Sequence, residues 1–186
     1  MHNRLPKIFC FINEFKSDYI KNLNKNVAII YRNYDDETSL NELKSFASFC
    51  KKKKQKFYLS NNIALSLKLN LDGTYIPAFN KTIFKKKFLN RKFNLIGSAH
   101  NIKEIKIKES QGVKLIFLSP LFKDKNKKMK LGICKFNLLT SITKKKVIAL
   151  GGIDTNNLKQ LKMTKSYGYA SISYFKKLPL KMNTHD

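Results

Sequence analysis

Acidic residues are scarce: the 186-residue chain carries 12 Asp and Glu against 38 Lys and Arg, a formal net charge of +26. Arginine is scarce as well. Arg4, Arg32 and Arg91 are the only ones, so nearly all the positive charge is lysine. Proteins that read bases or grip phosphates favour the planar fork of arginine. Its shortage, beside abundant Asn and Ile, points to drift in an AT-rich coding sequence more than to nucleic-acid recognition. Cysteine is limited to Cys10, Cys50 and Cys134. Their odd number and wide spacing match neither a disulfide framework nor a zinc pattern, and all three are expected to be inert and buried. Long apolar runs are missing. None approaches the ~20 residues of a membrane span, and residues 8–12 are too short for a signal peptide's apolar region, with no small-residue cleavage site behind them. A reducing cytoplasm and no membrane partner are the expectation. Nothing in the chain reads as a linker, a domain boundary or an internal repeat, and the length suits one well-buried domain. That domain spans 1–186, with a basic tail from about residue 176.

What is present is alternation. Apolar content of 42% excludes disorder for the body of the chain. Short apolar segments at 7–12, 27–31, 57–59, 71–77, 93–96, 113–118, 147–150 and 169–172 read as strands. Between them apolar residues recur at helical spacing: Phe15, Tyr19, Ile20 and Leu23, then Leu40, Leu43, Phe46 and Cys50 behind Ser39. Ser60 is placed to cap a helix carrying Ile63, Ala64 and Leu67. Later helices are expected at 82–89, around Ile102 and Ile105, at 136–142, and from Asp154 through Leu158 and Leu161, with a last frayed one after Phe175. The lysines at 51–54 read as the solvated end of the second helix, where cations suit its dipole. Strands apolar on both faces belong to a parallel sheet. About eight strand–helix units predict an α/β fold, a single compact (β/α)8 TIM-type barrel; an open doubly wound sheet with fewer strands is the alternative.

Such barrels work at the carboxyl ends of their strands. The stretch Val147-Ile148-Ala149-Leu150-Gly151-Gly152 ends a strand in two glycines ahead of a helix. Glycine lets backbone approach an anion, so this is a candidate phosphate cradle, although a glycine pair can also just end a strand. Phosphate sites in these barrels form after strands seven and eight, which adds Ser173 to Gly151 and Gly152. Other polar residues at strand ends include Arg32, Asn61, Ser98, His100, Ser119, Asp124, Asn126 and Lys127. Each has a plainer reading: Arg32 as an ion pair with Asp35 or Asp36, His100 as a helix-start residue, the 123–130 loop as a solvated tract.

The order of motifs resembles the thiamine phosphate synthase / TenI family from about residue 27 to residue 173. Ser98-Ala99-His100 resembles its S-x-H segment, and Ser119-Pro120-Leu121-Phe122 with Lys127 and Leu131-Gly132 its G-P-x-F-x-T-x-T-K loop. Ala149-Leu150-Gly151-Gly152-Ile153 resembles A-[IL]-G-G-I, and 168–173 the closing G-V-A-x-x-S. The resemblance implies a (β/α)8 barrel that joins hydroxymethylpyrimidine diphosphate to a thiazole phosphate and releases pyrophosphate. It implies catalytic roles for Arg32, Lys127 and Ser98, and a substrate-phosphate site at Gly151, Gly152 and Ser173. Metal or diphosphate contacts would fall on Asn61, Asn80, Asp124 and Asn126. Several positions depart from the pattern. The family's N-D pair is Ser60-Asn61, its second metal-binding aspartate is Asn80, its D-G-V-H-L histidine is Tyr75, and its loop threonines are Asp124 and Asn126. Magnesium prefers carboxylate oxygens with substrate phosphates, so the Mg2+ implied by the resemblance is poorly provided for. The tautomerase branch places a histidine where this chain has Pro120, which disfavours that activity.

The expected partners are phosphorylated small molecules, with no specific nucleic acid and no membrane; a homo-oligomer is compatible. Three functions compete: an active synthase, an altered family member that only binds a phosphorylated thiazole or another phosphate, and a basic nucleic-acid-binding protein. The third lacks any recognisable RNA- or DNA-binding motif. Duplex DNA should accordingly bind weakly, without sequence preference, and with steep salt dependence from counterion release. Filter binding at two salt concentrations checks this, and tight sequence-selective binding at physiological salt would promote the third function.

Overall fold

A computed structural model describes residues 5–33, 38–84, 92–123 and 130–176. Its strands are β1 (Ile8–Ile12), β2 (Val27–Tyr31), β3 (Phe57–Ser60), β4 (Gly73–Ile76), β5 (Asn94–Ala99), β6 (Leu115–Leu118), β7 (Lys146–Leu150) and β8 (Gly168–Ser171). All pair in parallel with their sequence neighbours, and β1 pairs with β8, so the sheet closes into the expected barrel. The described helices are α1 (Ser17–Asn22), α2 (Leu40–Lys52), α3 (Ile63–Lys68), α4 (Ile102–Ser110), α5 (Gly132–Ser141) and α6 (Ser173–Lys176), with a 3₁₀ helix at Leu158–Met163. Among the described residues no helix is long and apolar enough to cross a membrane.

The period-2 alternation of strands sorts their side chains into two layers. Phe9 and Phe11 of β1 enter the barrel interior with Ile30, Tyr58, Tyr75, Ile96, Phe117 and Ile148. Cys10 and Ile12 of the same strand face outward into the layer beneath the helices. Both faces of each strand are therefore covered, which is why the strands lack a polar face. The upper interior is aromatic. Phe117 meets Phe9 edge-on at 4.9 Å and Tyr75 at 5.5 Å, and Phe11 meets Tyr75 at 5.2 Å. These are the tilted geometries that ring quadrupoles favour.

Helix starts follow local chemistry. Ser39 caps α2 by accepting from the Glu42 backbone N–H at 3.1 Å. In α4 the exchange is reciprocal: Asn101 Oδ1 accepts from Glu104 N at 2.9 Å, and Asn101 Nδ2 donates to Glu104 Oε1 at 3.1 Å.

Some expectations are corrected. Ser60 ends β3, and α3 is capped instead by Asn62, whose Oδ1 accepts from Leu65 N at 2.9 Å. β5 runs further than 93–96, so Ser98 and Ala99 lie within it. After β7, Asp154 organises a turn through Asn156 N (2.9 Å) and Asn157 N (3.2 Å), and the helix begins only at Leu158, in 3₁₀ form. Residues 81–84 are not helical, and the rest of the helix expected at 82–89 lies outside the described residues. Lys53 is not merely solvated: its ammonium donates to the carbonyls of Ile20, Lys21 and Leu23 and so caps the C-terminal end of α1. Cys10 and Cys50 are buried but Cys134 is exposed. Burial pushes the Cys50 thiol up to about 12, which keeps it inert.

Phe117 is fully buried and holds three other rings. Phe117→Ala should cost ~3–5 kcal/mol through reduced burial and the cavity left behind. Urea unfolding monitored by circular dichroism is the check, and a loss under ~1 kcal/mol would mean the interior collapses around the gap.

Candidate active site at the barrel mouth

The barrel opens at the carboxyl ends of its strands into a cavity of about 670 Å³. Its floor is the aromatic layer, with Phe11 and Tyr75 reaching the surface of the cavity. Polar groups enter from separate strands: Arg32 after β2, Ser98 from within β5, His100 just beyond β5, Ser119 after β6 and Gly151 after β7. A groove of similar size, about 690 Å³, lies on the outside near the starts of β3 and β4, between Lys51, Lys54 and Asp72. That is the stability end of such barrels, so the mouth is the candidate site.

Arg32 continues the β1–β2 pairing, its N–H donating to Ile12 O at 2.8 Å. Its guanidinium lies over the Phe11 ring, 5.3 Å from the centroid. A guanidinium over an aromatic face is held by the ring's quadrupole, and Arg32 lines the cavity from there. Asp35 and Asp36, the alternative partners for Arg32, lie outside the described residues.

His100 and Glu104 form a second fixed group. Glu104 Oε2 accepts from the His100 backbone N–H and meets its ring Nδ1, both at 2.8 Å. The carboxylate orients the imidazole while closing the first turn of α4. The sequence offered a signal for this partner, since His100 and Glu104 are four apart across a helix start, but Glu104 was not among the expected site residues.

The glycine pair proves tightly engaged. Gly151 and Gly152 take φ of +92° and +66°, a region L side chains rarely occupy. A Cβ on Gly151 would lie 2.8 Å from Pro120, and one on Gly152 would lie 2.7 Å from Phe122 O. The glycines are needed because the base of the β6 loop docks here, through Leu121 N to Leu150 O (2.9 Å) and Phe122 N to Gly151 O (3.1 Å). Their presence alone is therefore no sign of a phosphate. Only Gly151 lines the cavity; Gly152 lies one residue beyond, its carbonyl taken by Asn157 Nδ2 at 2.6 Å. Ser173 opens α6 directly after Ile172, which does line the cavity. The same β6 loop closes on itself through Leu131 N to Pro120 O at 2.8 Å. Its outer residues Asp124, Asn126 and Lys127 lie outside the described residues.

Asn61 and Asn80 are brought together, but to each other: Asn80 Nδ2 donates to Asn61 Oδ1 at 2.7 Å, and Asn80 Oδ1 accepts from Thr82 N at 2.9 Å. Both amides are neutral and their oxygens are already in use. Among the described residues no group of three or more His, Cys, Asp or Glu could hold a metal ion. This donor set does not fit a magnesium ion, which asks for carboxylate oxygens.

The loop after β4 that carries Asn80 is anchored from behind. Lys108 of α4 is fully buried, and its ammonium donates to Pro77 O and Asn80 O, each at 2.8 Å, and to Gln111 Oε1 at 2.9 Å. Burial pushes that ammonium down to about 8, against the opposing pull of the Glu104 carboxylate. Gln111, also fully buried, donates to Asn80 O at 2.9 Å and Thr82 O at 2.8 Å. The segment so held presents Phe79 and Lys81 to the cavity.

Fold and cleft together define a parallel (β/α)8 barrel with a cationic, aromatic-floored site at its strand carboxyl ends. The chain belongs to the thiamine monophosphate synthase family, whose model matches residues 19–175. It is 29% identical over 130 residues to a thiamine-phosphate synthase of Prochlorococcus marinus, a match covering 68% of this chain and 38% of that protein. Over 157 residues it is 26% identical to the thiamine-phosphate synthase of Pelagibacter ubique, covering 81% of this chain and 76% of that one. In structure it is similar to thiamine phosphate pyrophosphorylase from Pyrococcus furiosus, with a TM-score of 0.71 at 14% identity, over 90% of this chain and 86% of that one. At that identity the likeness concerns the fold.

Burial raises the Glu104 carboxyl, but hydrogen bonds from the His100 ring, the His100 backbone and Asn101 outweigh it and leave the group below its ordinary 4.5. A depressed carboxyl contributes stability that is complete above 4.5 and is lost as pH falls through the lower folded value. Glu104→Gln should flatten the acid limb of a pH series of denaturant unfolding. An acid limb identical to wild type would show that the His100 pairing contributes nothing to folding.

Proposed function

We propose that the protein joins hydroxymethylpyrimidine diphosphate to a thiazole phosphate and releases pyrophosphate. The observation that carries this reading is the convergence of Arg32, Ser98 and Gly151 on one aromatic-floored cavity in a chain of this family. The pyrimidine would lie on the Phe11 and Tyr75 floor, where a flat heteroaromatic ring gains apolar contact. The bond from the pyrimidine methylene carbon to the diphosphate oxygen breaks, and pyrophosphate leaves with the electron pair. The thiazole nitrogen then forms the new bond to that carbon. The protein's task is to stabilise the leaving anion and to align the nitrogen. Arg32, held over Phe11, offers the anion a two-pronged donor, and Lys127 of the β6 loop adds a point charge. Ser98, within β5, would fix the ring. The thiazole phosphate falls to the turn after β7 and the start of α6, at Gly151, Gly152 and Ser173, where barrels of this kind hold phosphate. No strongly basic side chain is demanded, in keeping with a mouth whose histidine is already bound to a carboxylate.

A second reading, a phosphate-binding family member without catalysis, is favoured by the neutral Asn61–Asn80 bridge. Steady-state assay with both substrates separates the two. The synthase reading expects product, and expects Arg32→Ala to lower kcat/KM by more than ~10-fold, since a charge-assisted hydrogen bond to the leaving group is removed. Absence of product from the wild type across a magnesium series, with thiazole phosphate still bound in calorimetry, would leave the second reading.

A further inference from the structure

The loop after β4 is held by two fully buried polar side chains, and one of them is an ammonium. Among the described residues Lys108 has no carboxylate within ion-pair distance; three carbonyl oxygens bond its ammonium directly, and the Glu104 carboxylate on the same helix favours its charged form from further off. A buried charge held this way contributes little net stability. What it does fix is geometry: Asn80 O receives both Lys108 Nζ and Gln111 Nε2, Thr82 O receives Gln111, and Asn80 Nδ2 reaches across to Asn61. Residues 77–82 are thereby tied at both ends, and between the ties Lys81 lines the mouth cavity.

The charges around that cavity are unequal. Its described lining holds two obligate cations, Arg32 and Lys81, and a single carboxylate, Glu104, already engaged by His100. The neighbouring Asn61–Asn80 bridge adds no negative charge. A diphosphate brings several, and something fixed must oppose them.

We propose that Lys81 is a diphosphate-binding residue, and that the Lys108–Gln111 clamp is there to hold it at the mouth. The assignment rests on the function proposed above and names a further group for the same site. Lys81 places a monovalent, side-chain charge beside the amide bridge, two loops along the barrel rim from Arg32 after β2. Anion binding at this mouth then proceeds without a divalent cation. The competing view is that Lys81 is one more solvated lysine in a chain rich in them.

Calorimetry of inorganic pyrophosphate binding to the full chain, in chelator and at physiological salt, decides. The wild type should bind without divalent cations. Lys81→Ala should weaken binding by about tenfold or more, as expected when one charge-assisted hydrogen bond is removed, and Lys81→Arg should stay within about threefold. Lys25→Ala, an exposed lysine just ahead of β2 at the other end of the barrel, should leave affinity unchanged. Lys108→Met should weaken pyrophosphate binding when Lys81 is present and have no further effect when Lys81 is Ala, the non-additivity of a positioning residue. Unchanged affinity in Lys81→Ala, or an equal loss in Lys25→Ala, overturns the proposal, and this holds even if Lys108→Met does not fold. Wild-type binding that appears only with magnesium also overturns it while leaving the proposed function intact. Binding of neither pyrophosphate nor thiazole phosphate under any condition would remove the function with it.

Discussion

Closure of the sheet is the constraint on which the rest of this structure depends. β1 pairs with β8 through Ile8 and Tyr169, Phe9 and Ala170, Cys10 and Ser171, and no strand edge remains. Closure fixes which side chains share the interior, and the interior here is filled by Phe9, Phe11, Tyr75 and Phe117 in edge-to-face contact. That packing does two things at once. It supplies apolar burial, the main driving force of folding, and its upper rings become the floor of the mouth. A substrate ring placed there meets the top of the core, so the rigidity of the site is inherited from the packing beneath it.

On that floor the loops are not independent. The β6 loop docks on the end of β7 through backbone hydrogen bonds that only glycine at 151 and 152 permits. Ser171 then ties the next element in: its Oγ donates to Ile153 O at 2.9 Å and accepts from Tyr174 N at 3.1 Å. The β6 loop, the turn after β7 and the start of α6 are thus one hydrogen-bonded unit. On the opposite wall the β4 loop is joined to β3's end by the amide bridge and to α4 by Lys108 and Gln111. A ligand spanning the mouth would touch two pre-assembled walls, which lowers the ordering cost of binding.

Much of this was legible in the sequence because parallel strands covered on both faces announce themselves. The apolar segments at 27–31 and 147–150 fall on β2 and β7 almost residue for residue, and the stripe of Leu43, Phe46 and Cys50 is the buried face of α2. Arg32, Ser98 and Gly151 could be placed at the mouth because strand ends define it. What failed to show is what depends on tertiary partners. Asn62 outcompeted Ser60 as a cap because Asn61 adopts φ +58° and turns the chain one residue later. Lys53 read as a solvated charge, and Lys108 drew no notice, because a lysine's sequence context says nothing of carbonyls some 30 residues away. The 3₁₀ helix at Leu158–Met163 replaced an expected α-helix because Asp154 and Asn157 spend the preceding residues on a turn. Lys81 sat just ahead of the stretch, 82–89, that looked helical, and nothing in the sequence singled it out.

The lysine excess therefore separates into two populations with different physics. Most of it is exposed and screened beyond ~8 Å at physiological salt, acting on ligands only as a diffuse attractive field. A few lysines are fixed by backbone: Lys53 closes the end of α1, and Lys108 closes the back of the β4 loop. Compositional drift toward lysine would suffice for the first population but not for the second, since a fully buried ammonium is disfavoured unless its geometry is satisfied. The position of Lys108 makes sense only with the loop it holds, and that loop ends in the neutral Asn61–Asn80 bridge. Two carboxylates at those positions would repel each other unless a cation lay between them; two amides attract by direct hydrogen bonding. Amides at both positions therefore keep the β3 and β4 loops together without an ion.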